Sequence, residues 1–228
     1  MSAGLNGWWA RALIDELCAA GASEAVICPG SRSTPLALAC AAEPRLAVRS
    51  VVDERSGAFF ALGAAKATGK PALVVATSGT AGAHFYPALL EAEASRVPVV
   101  ALTADRPPEL HGFGAPQTLD QQHLFGTHVR FFADLGIPEG TPEALRHLRA
   151  VAAAAAARAL GTPRGPVHLN APFREPLIPL TPPGPRQDDP KKNNSFSGGP
   201  ADVLPAVRIA PGKLDPDEAA GRLVLLQH

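Results

Sequence analysis

The stretch "VICPGSRSTPLAL", Val26 to Leu38, sets the grammar of the whole chain. An apolar run stops at Pro29-Gly30. Ser31, Arg32, Ser33 and Thr34 follow, and a helix-like run begins at Pro35. Pro-Gly punctuates and Ser/Thr favours a helix start, so the stretch reads as buried strand, tight turn, helix. The turn is either plain connection chemistry with a helix cap, or an anion cradle made of helix-start N–H groups and a guanidinium fork.

The same alternation repeats outward from it. Asn6 is placed to cap a first helix whose Trp9, Leu13 and Leu17 share a face, with Gly21 ending it. Strands are predicted at 24–28, 46–52, 71–76, 97–102, 128–135 and 165–172. Helices are predicted from Thr34, over 54–69, from Thr77 to Ser95 and over the Ala-rich 143–160. The strands are continuous Val/Ile/Leu/Ala runs, as expected when helices cover both faces. Alternating β and α elements imply an α/β fold: a doubly wound, mainly parallel sheet with helices on both faces.

After Pro172 the character changes, and ten of the 24 prolines fall between residues 176 and 216. The expected organisation is a first domain over 1–178, a Pro-rich irregular linker over 179–212, and the truncated start of a further domain over 213–228. The chain is thus expected to be a fragment of a longer protein.

Composition excludes several classes. The 228 residues are 46% hydrophobic, enough for a real core, and 21 Lys+Arg balance 21 Asp+Glu. A polyanion or nucleic-acid binder would need a basic excess. No apolar run reaches the length of a membrane span. Cys18, Cys28 and Cys40 form no CxxC pair and lie in apolar surroundings, which reads as reduced core thiols and a cytoplasmic location.

Ligands of open α/β sheets bind beyond the carboxyl ends of the strands. Four such ends here are polar or Gly-bearing: Pro29–Ser33, Asp53-Glu54-Arg55, Thr77-Ser78-Gly79-Thr80 and Thr103–Pro108. Arg32 and Arg106, at neighbouring strand ends, suit a substrate with carboxylates, although Arg106 could instead pair with Asp105. Glu54 reads either as a first-turn acid beside an Asp53 cap, or as a carboxylate at the end of a buried strand that shares a proton with a ligand nitrogen. Gly79 and Gly82 let backbone come close to a ligand. No P-loop, GxGxxG, HExxH or GxSxG occurs. His168 reads as a satisfied core residue; His84, His123 and His128 read as structural or surface residues.

With those residues in view, "CPGSRSTPLALA", "DERSGAFFALGAAK", "TSGTAGAHFYPALLEA", "ALTADRPPEL", "GAPQTLDQQHLFG" and "GPVHLNAPFREPL" resemble, in order and spacing, the N-terminal part of the thiamine-diphosphate synthases of menaquinone biosynthesis, the MenD family. The likeness runs over roughly residues 5–180. It implies a pyrimidine-binding domain in which Glu54 hydrogen-bonds the cofactor's pyrimidine N1′ and so controls removal of the thiazolium C2 proton. It implies cofactor contacts at Gly79 and Thr80, and substrate contacts at Ser31, Arg32, Arg106 and Gln117. Pro116 stands where some members carry asparagine. The implied reaction decarboxylates 2-oxoglutarate on thiamine diphosphate and adds the succinyl-semialdehyde unit to isochorismate. The family's GDG…NN motif for Mg²⁺ and the diphosphate is absent from this sequence, and Asn193-Asn194 lies in the wrong context. The resemblance also implies a homodimer or dimer of dimers and a fragment inactive alone. Two alternatives stand beside it: another thiamine-diphosphate 2-oxo-acid decarboxylase or carboligase, and a non-catalytic remnant that only binds or dimerises.

Overall fold

The computed structural model describes residues 2–178, so the expected linker and the start of a further domain lie outside the described residues. Six strands form one sheet: β1 (Glu24–Ile27), β2 (Ala47–Ser50), β3 (Ala72–Ala76), β4 (Val99–Asp105), β5 (Phe132–Asp134) and β6 (Val167–Pro172). Their order is β2-β1-β3-β4-β6-β5 and every pairing is parallel. Five helices flank it: α1 (Ser2–Ala19), α2 (Thr34–Ala41), α3 (Glu54–Thr68), α4 (Tyr86–Ala94) and α5 (Pro142–Leu160). The doubly wound α/β sheet is as the alternation implied.

Each sheet face has its own core, because successive strand residues point to opposite sides. Leu73, Val75, Val100, Leu102 and Leu169 pack with Trp9, Leu13, Leu17, Leu36 and Leu148 of α1, α2 and α5. Val74, Ala76, Val99 and Ala101 pack with Ala58, Ala61, Phe85 and Leu89 on the α3–α4 side. Small residues bring α3 down onto β1: a Cβ on Gly57 would lie 2.8 Å from Cys28 Sγ. The three cysteines are free and buried, and burial pushes each thiol up to about 12.

Four local readings are corrected. Asn6 does not cap α1; it lies inside the helix, and its buried Nδ2 donates to the carbonyls of Arg174 (2.7 Å) and Pro176 (3.2 Å). It thereby ties the segment after β6 to the first helix. β2 is not a buried strand: all four of its residues are exposed, because it is the sheet's edge. The helix expected from Thr77 is a 3-10 segment over Gly79–Phe85, and the α-helix starts only at Tyr86, with Pro87 in its first turn. Gly79 at φ +84° and Pro87 without an N–H explain the late start. The strand expected over 128–135 shortens to β5, preceded by a 3-10 turn at Gly126–His128.

Candidate ligand site at the topological switch point

The chain leaves β1 for β2 on one side and β3 lies on the other, so a crevice opens at the carboxyl ends of β1 and β3. A cavity of about 590 Å³ sits there. Ser31, Arg32, Glu54, Thr80, Arg106 and Gln117 all line it. These residues are far apart in sequence, from Ser31 to Gln117, yet meet at one place: parallel strands end on one edge, and the loop after β4 brings Gln117 to it.

The first turn is built by its hydroxyls, but not as a helix cap. Ser33 Oγ donates to the Gly30 carbonyl (3.0 Å) and Thr34 Oγ1 to that of Ser31 (2.7 Å). Ser33 stands at the cap position of α2 without a side-chain cap bond. The turn leans on the next strand end, where the Arg32 N–H donates to Thr77 Oγ1 at 3.2 Å. A Cβ on Gly30 would collide with the Thr77 side chain, falling 2.6 Å from its Cγ2. Gly30→Ala should therefore displace the turn and cost about 1–3 kcal/mol of stability in urea denaturation; unchanged stability would mean the two strand ends are not packed together.

Arg32 is 4% exposed. Its Nη1 donates to the Phe173 carbonyl (2.9 Å) and its Nη2 to Glu175 Oε1 (3.1 Å). Burial, and then the neighbouring Arg106 guanidinium, push its pKa down, against the pull of Glu175. The Nε–H of Arg32 and that of Arg106 are buried without a hydrogen-bond partner among the described residues. Asp105 does not pair with the Arg106 guanidinium; its Oδ1 accepts the Arg106 backbone N–H at 2.7 Å. Two cationic side chains thus line one cavity, Arg32 already paired with Glu175 and each with a buried Nε–H left without a partner among the described residues.

Glu54 opens α3, and Asp53 caps that helix by accepting the Ser56 N–H at 2.7 Å. Its carboxylate reaches the cavity from an exposed edge strand rather than from a buried one. His84 also lines the cavity, which no spacing in the sequence signalled. Gly79 lies behind the lining: its N–H is taken by Gln121 Oε1 at 2.8 Å. Gly82 serves packing, since a Cβ there would lie 3.0 Å from Thr103 Cγ2.

Below the lining runs a buried polar network that the sequence reading missed. Asn170 Nδ2 donates to Asp105 Oδ2 (2.9 Å) and to Asp134 Oδ2 (2.8 Å). Asn170 Oδ1 accepts from Thr103 Oγ1 (2.8 Å) and from Gln121 Nε2 (2.9 Å). Because the Thr103 hydroxyl hydrogen goes to Asn170, the 2.7 Å contact to His168 needs His168 Nε2 to donate. Burial, with a smaller push from His123, lowers the His168 pKa to about 3, so the ring is neutral. Burial also raises the Asp105 pKa, opposed by its bonds from Asn170 and the Arg106 N–H.

A family profile described as "Thiamine pyrophosphate enzyme, N-terminal TPP binding domain" matches residues 8–124, more than half of the chain. The chain belongs to that thiamine pyrophosphate enzyme family. The match takes in all four polar strand ends and every cavity residue up to Gln117. Within this family the chain is similar to curated proteins named 2-succinyl-5-enolpyruvyl-6-hydroxy-3-cyclohexene-1-carboxylate synthase. The one from Myxococcus xanthus is 56% identical over 215 residues, covering 94% of this chain and 36% of the relative. Those from Geobacillus kaustophilus and Halobacterium salinarum are 58% and 55% identical, covering 75% and 78% of this chain and 30% and 31% of theirs. The chain spans about a third of the length of these relatives.

The cavity fits the pyrimidine half of thiamine diphosphate. It offers the Glu54 carboxylate, with Glu175 also in the lining, and the backbone of the Gly30 turn. No group of three or more metal-ligating side chains occurs among the described residues. No helix among them is long and apolar enough to cross a membrane.

Proposed function

We propose that this chain is the pyrimidine-binding part of a synthase that decarboxylates 2-oxoglutarate and adds the succinyl-semialdehyde unit to isochorismate, giving 2-succinyl-5-enolpyruvyl-6-hydroxy-3-cyclohexene-1-carboxylate. One observation carries the reading: two guanidinium groups with unpartnered buried Nε–H donors share a cavity with the Glu54 carboxylate. Arg32 is already paired with Glu175, so Arg106 would take one substrate carboxylate and a second would compete with Glu175 for Arg32. The high identity to the named synthases supports the choice of substrates.

Thiamine diphosphate, when bound, would supply the electron sink for decarboxylation. Glu54 would hold a proton shared with the pyrimidine N1′, and Thr80 would border the ring. Arg32 and Arg106 would hold substrate carboxylates, with Ser31 and Gln117 completing the polar wall. Glu175, itself in the cavity lining, pairs with the Arg32 guanidinium and would keep it oriented. The reading assigns no residue of this chain to magnesium or to the diphosphate.

A second copy over α3 is part of the proposal. Val52, Phe59 and Phe60 are exposed beside Glu54, with Val52 85% exposed. Three buried thiols with raised pKa accord with a cytoplasmic setting.

The test is titration of the 228-residue chain, followed by NMR, with 2-oxoglutarate and with pyruvate. Shifts are expected at Arg32, Arg106 and Gln117, with pyruvate at least about tenfold weaker. Arg106→Ala should weaken 2-oxoglutarate binding by about ten- to hundredfold, the worth of a charge-assisted hydrogen bond. Equal binding of the two acids, or an unaffected Arg106→Ala chain, would contradict the assignment.

A further inference from the structure

Gln121 is fully buried and does not line the cavity, yet it bonds to residues next to two of its lining segments, Gly79 beside Ser78 and Thr80, and Ala104 near Arg106. Its Oε1 accepts the Gly79 N–H. Its Nε2 donates to the Ala104 carbonyl (3.1 Å), two residues before Arg106, and to Asn170 Oδ1. Its own loop carries Gln117, four residues upstream, at φ +52°. Gly79, at φ +84°, lies against that turn: a Cβ on it would be 3.2 Å from the Gln117 Cα and carbonyl oxygen.

The direction of this amide is forced from outside the cavity. Asp105 and Asp134 are acceptors toward Asn170, so the Asn170 nitrogen must face them and its oxygen must face Gln121. The Gln121 nitrogen therefore faces inward to the sheet and its oxygen faces Gly79. All of its donors and its acceptor are then used in one orientation.

We propose that Gln121 is a positioning residue, which sets the Gly79–Thr80 edge, the Gln117 turn and the Arg106 strand end as one rigid wall for the anionic ligand. The inference rests on the proposed function only for the identity of that ligand.

Two variants of the 228-residue chain test it, Gln121→Met and Gln121→Glu. The readouts are Gly79 amide exchange and the 2-oxoglutarate dissociation constant, both by NMR. Met has a similar length and no donor or acceptor of comparable strength. It should speed Gly79 exchange and weaken 2-oxoglutarate binding, each by about tenfold. Glu keeps the shape but turns an oxygen toward the Ala104 carbonyl and Asn170 Oδ1, so it fits only when protonated. The groups beyond are Asp105 and Asp134 across Asn170, His168 across Thr103, and Arg106 and His111 flanking Asp105. With two carboxylates nearest, Gln121→Glu should come closest to the parent in acid, where its one O–H replaces one of the two donated bonds, then lose Gly79 protection and ligand affinity together as pH rises. The parent should show no such joint loss.

Ligand affinity unchanged in both variants while Gly79 protection falls would leave Gln121 a purely structural residue and overturn the proposal. Gly79 protection unchanged in both variants would overturn it as well. If Gln121→Met does not fold, Gln121→Glu compared across pH decides by the same two outcomes. A parent chain that takes up no 2-oxoglutarate would count against the proposed function alone. The Gln117 and Arg106 amide shifts would then decide: moving together with Gly79 exchange in both variants they would support the rigid wall, and Gly79 exchange changing alone would overturn it.

Discussion

Replacing Glu54 with Gln should slow exchange of the C2 proton of bound thiamine diphosphate by about 10²–10⁴-fold, the range for loss of a positioned acid–base group. The material for this measurement is a chimera in which this chain replaces the matching stretch of the 56%-identical Myxococcus xanthus synthase. Glu54 is held at the first position of α3 by the Asp53 cap, and its carboxylate reaches the cavity from there. Glutamine has nearly the same shape, so packing and cofactor affinity should stay close to the parent's. What it lacks is the ability to hold a shared proton. Exchange at the parent rate would remove Glu54 from its assigned role, whereas loss of cofactor binding would make it an anchor instead.

The second large effect is expected at Asn170, where substitution by Asp should cost the fold about 2–4 kcal/mol at pH 8. The Asn170 amide nitrogen lies between Asp105 Oδ2 and Asp134 Oδ2. An aspartate there places a third carboxylate, fully buried, against the buried Asp105 and the more exposed Asp134, and all three cannot ionise without cost. The folded state then binds protons that the unfolded chain releases. The sign follows: a carboxyl whose folded pKa is raised contributes most below its unfolded pKa of about 4, and that contribution is lost as pH rises through the folded value. Asp105 already has a raised pKa from burial. The variant should thus be closest to the parent near pH 4–5 and fall away steadily toward pH 8 in urea denaturation. A constant difference across that range would mean that the network is not hydrogen-bonded as described.

Much of this architecture was legible because buried parallel strands announce themselves. "ALVV" in β3 and "VVAL" in β4 are apolar on both faces, and both are buried throughout. The run at 46–52 misled: it is apolar apart from Arg49 and Ser50, but it forms an edge strand that packs on one neighbour only, and β2 is exposed. The helix expected from Thr77 failed for a local reason, the positive φ of Gly79, which no propensity sum records. At the site, Ser31, Arg32, Glu54, Thr80 and Arg106 could be placed together because one rule gathers the carboxyl ends of parallel strands, whereas Gln117, in the loop after β4, was reached only through the family resemblance. The network beneath could not, because it depends on register: Thr103 lies directly across from Asn170 in the β4–β6 pairing. One signal was available. Asn170 is a polar residue inside the apolar run "VHLNAP", and a buried polar group must find partners.

The most direct test of the central claim is turnover by the chimera: isochorismate-dependent release of CO₂ from 2-oxoglutarate, with the parent chain and with Glu54→Gln in place. The expected result is turnover with the parent chain that falls by at least about a hundredfold in Glu54→Gln. A folded parent chimera that releases no CO₂, or a Glu54→Gln chimera as active as the parent, would contradict the assignment of this cavity as the pyrimidine-binding half of the site.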